Sequence, residues 1–180
     1  GAVYYPNVRT TLNYWADEGA TSFKAYMHIR RDELKAAAEE AHRRGLKITG
    51  HLCSVTFREA AALGIDDLEH GFVTASDFVP DKKPDECPAR GAVQRSFRTL
   101  DVNGAPVRDH IAELVKRGVA ITSTLTIYET FTAGQPSAPQ KVLDALLPET
   151  RRQYEQRRAA IQQTGDTSNA TLKKEMQLHK

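Results

Sequence analysis

The sequence predicts an α/β fold with a parallel sheet, and two observations lead to that prediction. Stretches with helical spacing of apolar residues alternate with short apolar stretches of strand character, four times before residue 126. A glycine follows each of these helical stretches, and glycine readily takes the left-handed conformation that ends a helix. Because a helix between two strands carries the chain back across the sheet, we expect right-handed crossovers and parallel strands.

The second repeat shows the pattern most clearly. Residues 32–44 form its helix, which Asp32 is suited to begin and Gly45 to end. The sequence LKITGH, residues 46–51, then alternates between apolar and polar side chains at its start, as a strand does. The apolar side chains of the helix are spaced to share one face: Leu34, Ala37, Ala38 and Ala41.

The first and third repeats follow the same order. The first is a helix that ends near Gly19, followed by a strand over residues 21–26. The third begins with TFRE at residues 56–59, which has the capping-box pattern, ends at Gly64, and continues into IDDLEH. The apolar residues that mark the first and fourth helices also have helical spacing: Val8, Leu12, Trp15, Ile111, Leu114 and Val115.

In the fourth repeat the helix ends at Gly118 and a strand is predicted over residues 119–125. Two other regions do not follow this alternation of helix and strand. Residues 76–106 contain four prolines and two glycines without clear periodicity, which indicates an insertion loop. Residues 140–180 show helical patterns with no strand between them: Lys141–Leu147, Thr150–Gln163 and Thr171–His179. Within them, RRQYEQRR is typical of a solvated helix face, and an anion-binding patch is the less favoured interpretation.

Composition excludes several classes of function. Hydrophobic residues make up 40% of the chain and charged residues 27%, as in soluble globular proteins, and the net charge of +2 does not favour nucleic acid or an anionic membrane as a partner. No apolar run is long enough to span a bilayer and no targeting signal opens the chain, which slightly favours the cytoplasm. Cys53 and Cys87 have no metal-knuckle spacing, and the sequence leaves open whether they form a disulfide.

Polar side chains end three successive predicted strands. Lys24, His51 and His70 are separated by about one helix–strand repeat each, and the carboxyl ends of parallel strands meet at one edge of a sheet. We therefore expect the three side chains to converge. Imidazole and carboxylate groups are ligands of zinc and other first-row metals, so the edge is a candidate metal site. Strand alternation predicts that Glu69, next to His70, points to the other face and is a structural partner.

The same residues carry a resemblance to a known family. The runs GATSFKAY, DELKAAAEEAHRRGLKITGHLCS and ALGIDDLEHG resemble the central part of the amidohydrolase superfamily, especially its imidazolonepropionase-like and Xaa-Pro dipeptidase-like members. The resemblance implies a (β/α)8 barrel, and RGVAITSTL looks like its seventh strand. It further implies that Lys24 is a carboxylated lysine bridging two metals, and that His51 and His70 are the histidine ligands of the fifth and sixth strands.

This sequence also departs from the family pattern. It contains no His-x-His pair, and neither Asp144 nor Asp166 follows a strand, so the family's general acid/base aspartate is not found. Four repeats are half of the eight in such a barrel. The sequence therefore predicts a partial barrel, roughly strands four to seven, with a helical C-terminal segment. We expect the isolated 180 residues to be inactive.

Two functions from different classes are consistent with these residues. The first is part of a metal-dependent hydrolase of amide, dipeptide or cyclic amide bonds, with two zinc ions in the parent family and Thr124 and Tyr128 as substrate contacts chosen by position. The second is a non-catalytic module that retains part of the barrel. Either would self-associate or bind the rest of a barrel, because an open sheet has unpaired edges. A nucleotide-binding fold is disfavoured since no glycine-rich phosphate loop is present.

Overall fold

The architecture is taken from a computed structural model, which describes residues 7–179. The chain divides into two compact units, the first ending at Ser123 and the second beginning at Thr124. Within the described residues, all of the strands belong to the first unit, and the second unit contains helices.

The first unit alternates helices and short strands, as the sequence predicts. Its elements in chain order are α1 Val8–Asp17, β1 Ser22–Ala25, α2 Arg31–Arg43, β2 Lys47–Gly50, α3 Phe57–Leu63, β3 Asp67–Glu69, α4 Ala92–Thr99, α5 Ala105–Arg117 and β4 Ala120–Thr122. Two short 3-10 turns, Phe72–Thr74 and Ser76–Phe78, follow β3.

The four strands form one parallel sheet in the order β1-β2-β3-β4. Lys24 on β1 is in register with Thr49 on β2, and Thr49 is in register with Asp67 on β3. These three side chains therefore lie on the same face of the sheet. The predicted α/β class with a parallel sheet is confirmed.

Glycines end the helices where the sequence predicts. Gly45, Gly64 and Gly118 have φ angles of 69°, 96° and 67°, in the left-handed region where a side chain would be strained. Thr56 begins α3 with the predicted capping box, accepting from the backbone N–H of Glu59 while the Glu59 carboxylate accepts from the backbone N–H of Thr56.

The predicted start of α2 is wrong by two residues. Arg30 is the residue that precedes the first turn, and its backbone N–H donates to the Glu33 carboxylate at 2.8 Å. Asp32 lies inside the first turn, where its charge is still favourable beside the helix N-terminus.

The core lies between the sheet and the helices that connect its strands. The predicted apolar face of α2 is buried over all four positions: Leu34, Ala37, Ala38 and Ala41. Ile48 and Leu68, from the central strands, are also buried. Two apolar residues used to mark helices are instead exposed, Trp15 by 54% and Val115 by 72%. Spacing identified α1 and α5 correctly, but these two residues do not contribute to the core.

Residues 76–106 are more ordered than the sequence suggests. They contain the 3-10 turn Ser76–Phe78, the helix α4 and the start of α5. Asp77 accepts hydrogen bonds from the backbone N–H groups of Phe57 and Arg58 at 2.8 and 3.0 Å, so its carboxylate satisfies the start of α3. The prolines and glycines of this region lie between short elements, which a search for long helices does not detect.

The second unit consists of four helices: α6 Leu125–Glu129, α7 Gln140–Asp144, α8 Pro148–Gln163 and α9 Ala170–Leu178. No strand occurs between residues 124 and 179, as predicted. The expectation of a solvated RRQYEQRR face holds for Arg152 and Arg157 but is wrong for Arg158, which is buried. Its guanidinium donates to the carbonyl oxygens of Thr130 and Gln135, where the aliphatic stem packs inside the unit.

No helix within residues 7–179 is both long and apolar enough to cross a membrane.

One buried histidine provides a pH probe of the first unit. His110 on α5 is fully buried among the rings of Phe57, Phe72 and Phe78. Burial lowers the pKa of His110, and the positive charge of Arg58 acts in the same direction. The carboxylates of Asp77, 3.5 Å from Nε2, and Glu113 oppose the shift without reversing it. The folded state therefore holds a neutral imidazole.

We expect the free energy of unfolding to decrease as pH falls below 6.5, the ordinary pKa of histidine. The unfolded chain takes up a proton there that folded His110 does not, so the slope reaches up to about 1.4 kcal/mol per pH unit. Urea unfolding between about pH 7 and 5 measures it. His110→Phe should remove most of this slope, whereas His42→Gln, which changes an exposed histidine, should keep it. An unchanged slope in His110→Phe contradicts the assignment.

Candidate functional site

The hydrogen-bond ladder of the sheet extends one residue beyond two of its strands. The backbone N–H of His51 donates to the carbonyl of Ala25 at 3.2 Å, and that of His70 donates to the carbonyl of Thr122 at 2.8 Å. Both histidines are therefore fixed by main-chain bonds at the carboxyl edge of adjacent strands.

The two imidazole rings lie side by side. Their centroids are 4.4 Å apart and their planes are inclined at 74°. His70 has a φ of 73° and the following Gly71 a φ of 82°, so the chain leaves β3 through two consecutive left-handed residues. This conformation, uncommon for a residue with a side chain, turns the His70 ring toward His51. The ring of Tyr26 also contacts His51, with centroids 5.1 Å apart.

Lys24 and Glu69 form an ion pair beside the imidazoles. The Lys24 ammonium donates to the Glu69 carboxylate, which also accepts from the Thr49 hydroxyl. Nε2 of His70 lies 3.7 Å from the same carboxylate. Glu69 therefore points to the face that carries Lys24, and its predicted placement on the opposite face is wrong. The alternation argument failed because the left-handed turn at His70 brings two consecutive side chains to one side of the sheet.

Burial, hydrogen bonds and charges together shift the pKa values of His51 and Glu69. Burial is the main cause that lowers the pKa of His51, and the positive charges of His70 and Lys24 add to it while Glu69 opposes it. For Glu69, burial favours the neutral acid, but the hydrogen bonds from Lys24 and Thr49, together with the charges of Lys24 and His70, lower the pKa overall. The site therefore favours an ionised Glu69 and a neutral His51.

These residues fit a metal only in part. A neutral His51 beside His70 offers two imidazole donors, which suit a first-row divalent metal. Within residues 7–179, however, no group of three or more His, Cys, Asp and Glu side chains is arranged to hold a metal ion. Lys24 is the cation of an ion pair, and an ammonium is no ligand. The described residues thus provide two donors of a site, not a complete one.

The two predicted substrate contacts belong to the second compact unit. Thr124 immediately precedes α6, and Tyr128 lies on that helix. Burial is the main cause that raises the pKa of Tyr128, and its hydrogen bond with Thr124 opposes that shift. Their role as substrate contacts stays a prediction.

Sequence reasoning did not select Thr49. Its hydroxyl holds the carboxylate that pairs with Lys24, and it lies directly beside Lys24 in the register of β1 and β2. The sequence did contain a pattern that predicts this role: Thr49 lies two residues before His51, so the two side chains share a face of the predicted strand.

Comparison with known proteins gives only distant structural similarity. No protein-family model matches the chain, and no curated protein matches it. A crystal structure of an uncharacterized protein superposes with a TM-score of 0.46 at 17% identity, covering 97% of this chain and 36% of that one. A crystal structure of an amidohydrolase superposes with a TM-score of 0.44 at 16% identity, covering 96% of this chain and 40% of that one. This chain spans well under half the length of both.

The Lys24–Glu69 pair should contribute little to stability. The Lys24 side chain is 47% exposed, so water screens the attraction, and we expect a coupling free energy of about 1 kcal/mol or less. A double-mutant cycle of Lys24→Met and Glu69→Gln, measured by urea unfolding, gives this value. The coupling should shrink further in about 1 M NaCl. A coupling above about 2 kcal/mol would show a desolvated pair and contradict this description.

Proposed function

We propose that this chain is part of a metal-dependent hydrolase of C–N bonds, to which it contributes the imidazoles of His51 and His70. The adjacency of the two rings, 4.4 Å between centroids, is the observation that carries the proposal. The strand-end positions of both residues and the resemblance of the surrounding sequence to amidohydrolases support it. The substrate class is a small amide, dipeptide or cyclic amide.

Each group at the edge has a distinct task in this proposal. His51 and His70 would hold a divalent metal, with zinc as the favoured ion, and the metal would supply an acidified water and a polarised substrate carbonyl. Glu69 and Thr49 hold Lys24 in place through the bonds already described. The carbamate that the resemblance implies for Lys24 would have to leave Glu69, because a carbamate is anionic and is repelled by the Glu69 carboxylate. Thr124 and Tyr128 are the proposed substrate contacts.

The 180 residues alone should bind zinc weakly and hydrolyse nothing. Two imidazoles are fewer than the three protein ligands of an ordinary catalytic zinc site. Among residues 7–179, no aspartate directly follows a strand in a position to take the proton of the water, a contribution worth roughly 10²–10⁴-fold in rate.

A zinc titration tests the proposed ligands. We expect calorimetry to detect one weak site, and His51→Ala and His70→Ala each to weaken it by at least about tenfold, as expected when a ligand is lost. His42→Ala is the matched control, since His42 is exposed and pairs with Asp66 on another part of the unit. Equal binding by all four proteins would remove both histidines from the proposal.

An activity panel tests the expected inactivity. Dipeptides and cyclic amides are incubated with the chain and added zinc, beside the His51→Ala and Lys24→Ala variants. We expect no turnover above the variants. Turnover that depends on both residues would show that the chain is a complete enzyme, contrary to this proposal.

A second candidate function is a non-catalytic module that assembles through its sheet. Within the described residues, β1 and β4 each have one neighbouring strand, so each leaves a row of unpaired backbone groups. Lys24 and Glu69 pair with each other, so neither is available as a third metal ligand beside the two histidines. This pairing favours the non-catalytic function.

We expect the chain to associate with itself through these edges. Sedimentation at micromolar concentration measures the association, and Ile121→Pro, which removes a backbone donor from the edge strand β4, should weaken it. Val115→Ser is the matched control, because it changes an exposed apolar side chain away from the strands. A stable, folded monomer at these concentrations contradicts the prediction.

A further inference from the structure

A disulfide joins the carboxyl edge of the sheet to a proline-rich stretch. Cys53, two residues after His51, is bonded to Cys87, and their Cα atoms are 5.0 Å apart. Cys87 belongs to residues 80–88, with the sequence PDKKPDECP, which form neither helix nor strand. We refer to these residues as the 80–88 segment.

The two sulfur atoms differ in access and in surroundings. Cys53 is buried, whereas Cys87 is half-buried. Sγ of Cys87 lies 3.3 Å from Nδ1 of His28, an exposed residue that follows β1. The carbonyl oxygen of Met27 is 3.4 Å from the same sulfur. A free thiol at Cys87 would therefore have two acceptors within reach, and a thiolate would have an imidazole beside it.

Two polar contacts also hold the 80–88 segment. The Lys82 ammonium donates to the carbonyl of Ser54 at 2.6 Å. The Asp85 carboxylate accepts from the backbone N–H of Arg31 at 2.8 Å and from its guanidinium at 3.2 Å. Lys82 is half-buried and Asp85 pairs near the surface, so these contacts are weaker than a covalent bond.

We propose that Cys53 and Cys87 form a redox-reactive pair, which a dithiol opens at Cys87 and in which His28 exchanges the proton of the Cys87 thiol. The pair uses different side chains from the two imidazoles, and it does not depend on the proposed hydrolase function. Thiol–disulfide exchange requires access to one sulfur and a stabilised thiolate. Cys87 has the access, and His28 provides the stabilisation.

The exchange proceeds in two balanced steps. A thiolate of the dithiol attacks Sγ of Cys87, forms a mixed disulfide there and releases Cys53 as the thiolate, which takes up a proton from water. The second thiol of the dithiol gives its proton to the His28 imidazole and attacks the dithiol sulfur of the mixed disulfide, which releases Cys87 as the thiolate. That thiolate takes the proton back from His28. The dithiol is oxidised to a disulfide and the protein gains two thiols. In the reverse direction His28 accepts the proton of Cys87.

Opening the pair removes the covalent bond that holds the 80–88 segment and leaves its polar contacts in place. The contacts of Lys82 and Asp85 join it to the chain after β2 and to the start of α2. We therefore expect residues 80–88 to exchange backbone hydrogen faster in the dithiol form, while α2 keeps its protection because its own hydrogen bonds are unaffected.

The first experiment treats the native 180-residue chain with dithiothreitol and counts free thiols by alkylation and intact mass. The expected result is two thiols without denaturant, together with faster hydrogen exchange confined to residues 80–88. A disulfide that opens only in denaturant overturns the proposal. Loss of protection throughout the first unit also overturns it, because the bond would then be a structural requirement of the fold.

The second experiment compares the single thiols. In Cys53→Ser, iodoacetamide should modify Cys87 at least about tenfold faster than it modifies Cys53 in Cys87→Ser, because thiol reactivity follows exposure and thiolate fraction. Similar rates, or a faster Cys53, overturn the assignment of Cys87 as the reactive sulfur. Circular dichroism of both variants establishes that the comparison is made on folded protein.

The third experiment isolates His28. In the Cys53→Ser background, His28→Asn should slow alkylation of Cys87 at about pH 7 by roughly five- to tenfold and move the midpoint of its pH–rate profile upward, since the thiolate loses its imidazole. His42→Asn in the same background is the matched control and should change neither. A purely structural His28 would leave the profile in place, and that outcome overturns the role given to this residue.

Discussion

The parallel hydrogen-bond ladder is the constraint on which the rest of the first unit depends. Each strand contributes only three or four residues, yet the ladder carries main-chain bonds into His51 and His70. Side-chain groups that would be free to move on a loop are thereby held at one edge. Register determines which side chains share a face. The alignment of Lys24 with Thr49 therefore places two donors side by side, and both donate hydrogen bonds to the Glu69 carboxylate.

Charge balance at this edge allows two exclusive arrangements. With Lys24 as an ammonium, Glu69 compensates its charge, and the imidazoles are the donors left for a cation. Recruiting Lys24 to a metal would leave Glu69 without its cation, and a partly buried carboxylate would then need another partner. The metal itself or a protonated imidazole would supply one. Glu69 is therefore placed between two groups, with Lys24 in contact and Nε2 of His70 at 3.7 Å.

Repeating local patterns made much of the first unit predictable, and unusual local geometry accounts for the misses. Gly45, Gly64 and Gly118 were identifiable because a left-handed helix end has a strong residue preference. The common side of Glu69 and His70 was not, because it depends on a positive φ at His70, which the residue type alone does not fix. Arg158 was assigned to solvent since burial of a guanidinium depends on carbonyl groups far away in sequence. Short helices such as α4 lack the length that makes periodicity visible.

The bond between Cys53 and Cys87 also closes a covalent ring in the chain. The ring includes α3 and β3, and therefore His70, and it spans a sequence separation of 34 residues. A protease that cut once inside it would produce two pieces that remain attached until the bond is reduced. The turns after β3 could thus be nicked while β3 stays tethered to its neighbours. A single cut within the ring therefore cannot separate β3 from the rest of the first unit while the disulfide is intact.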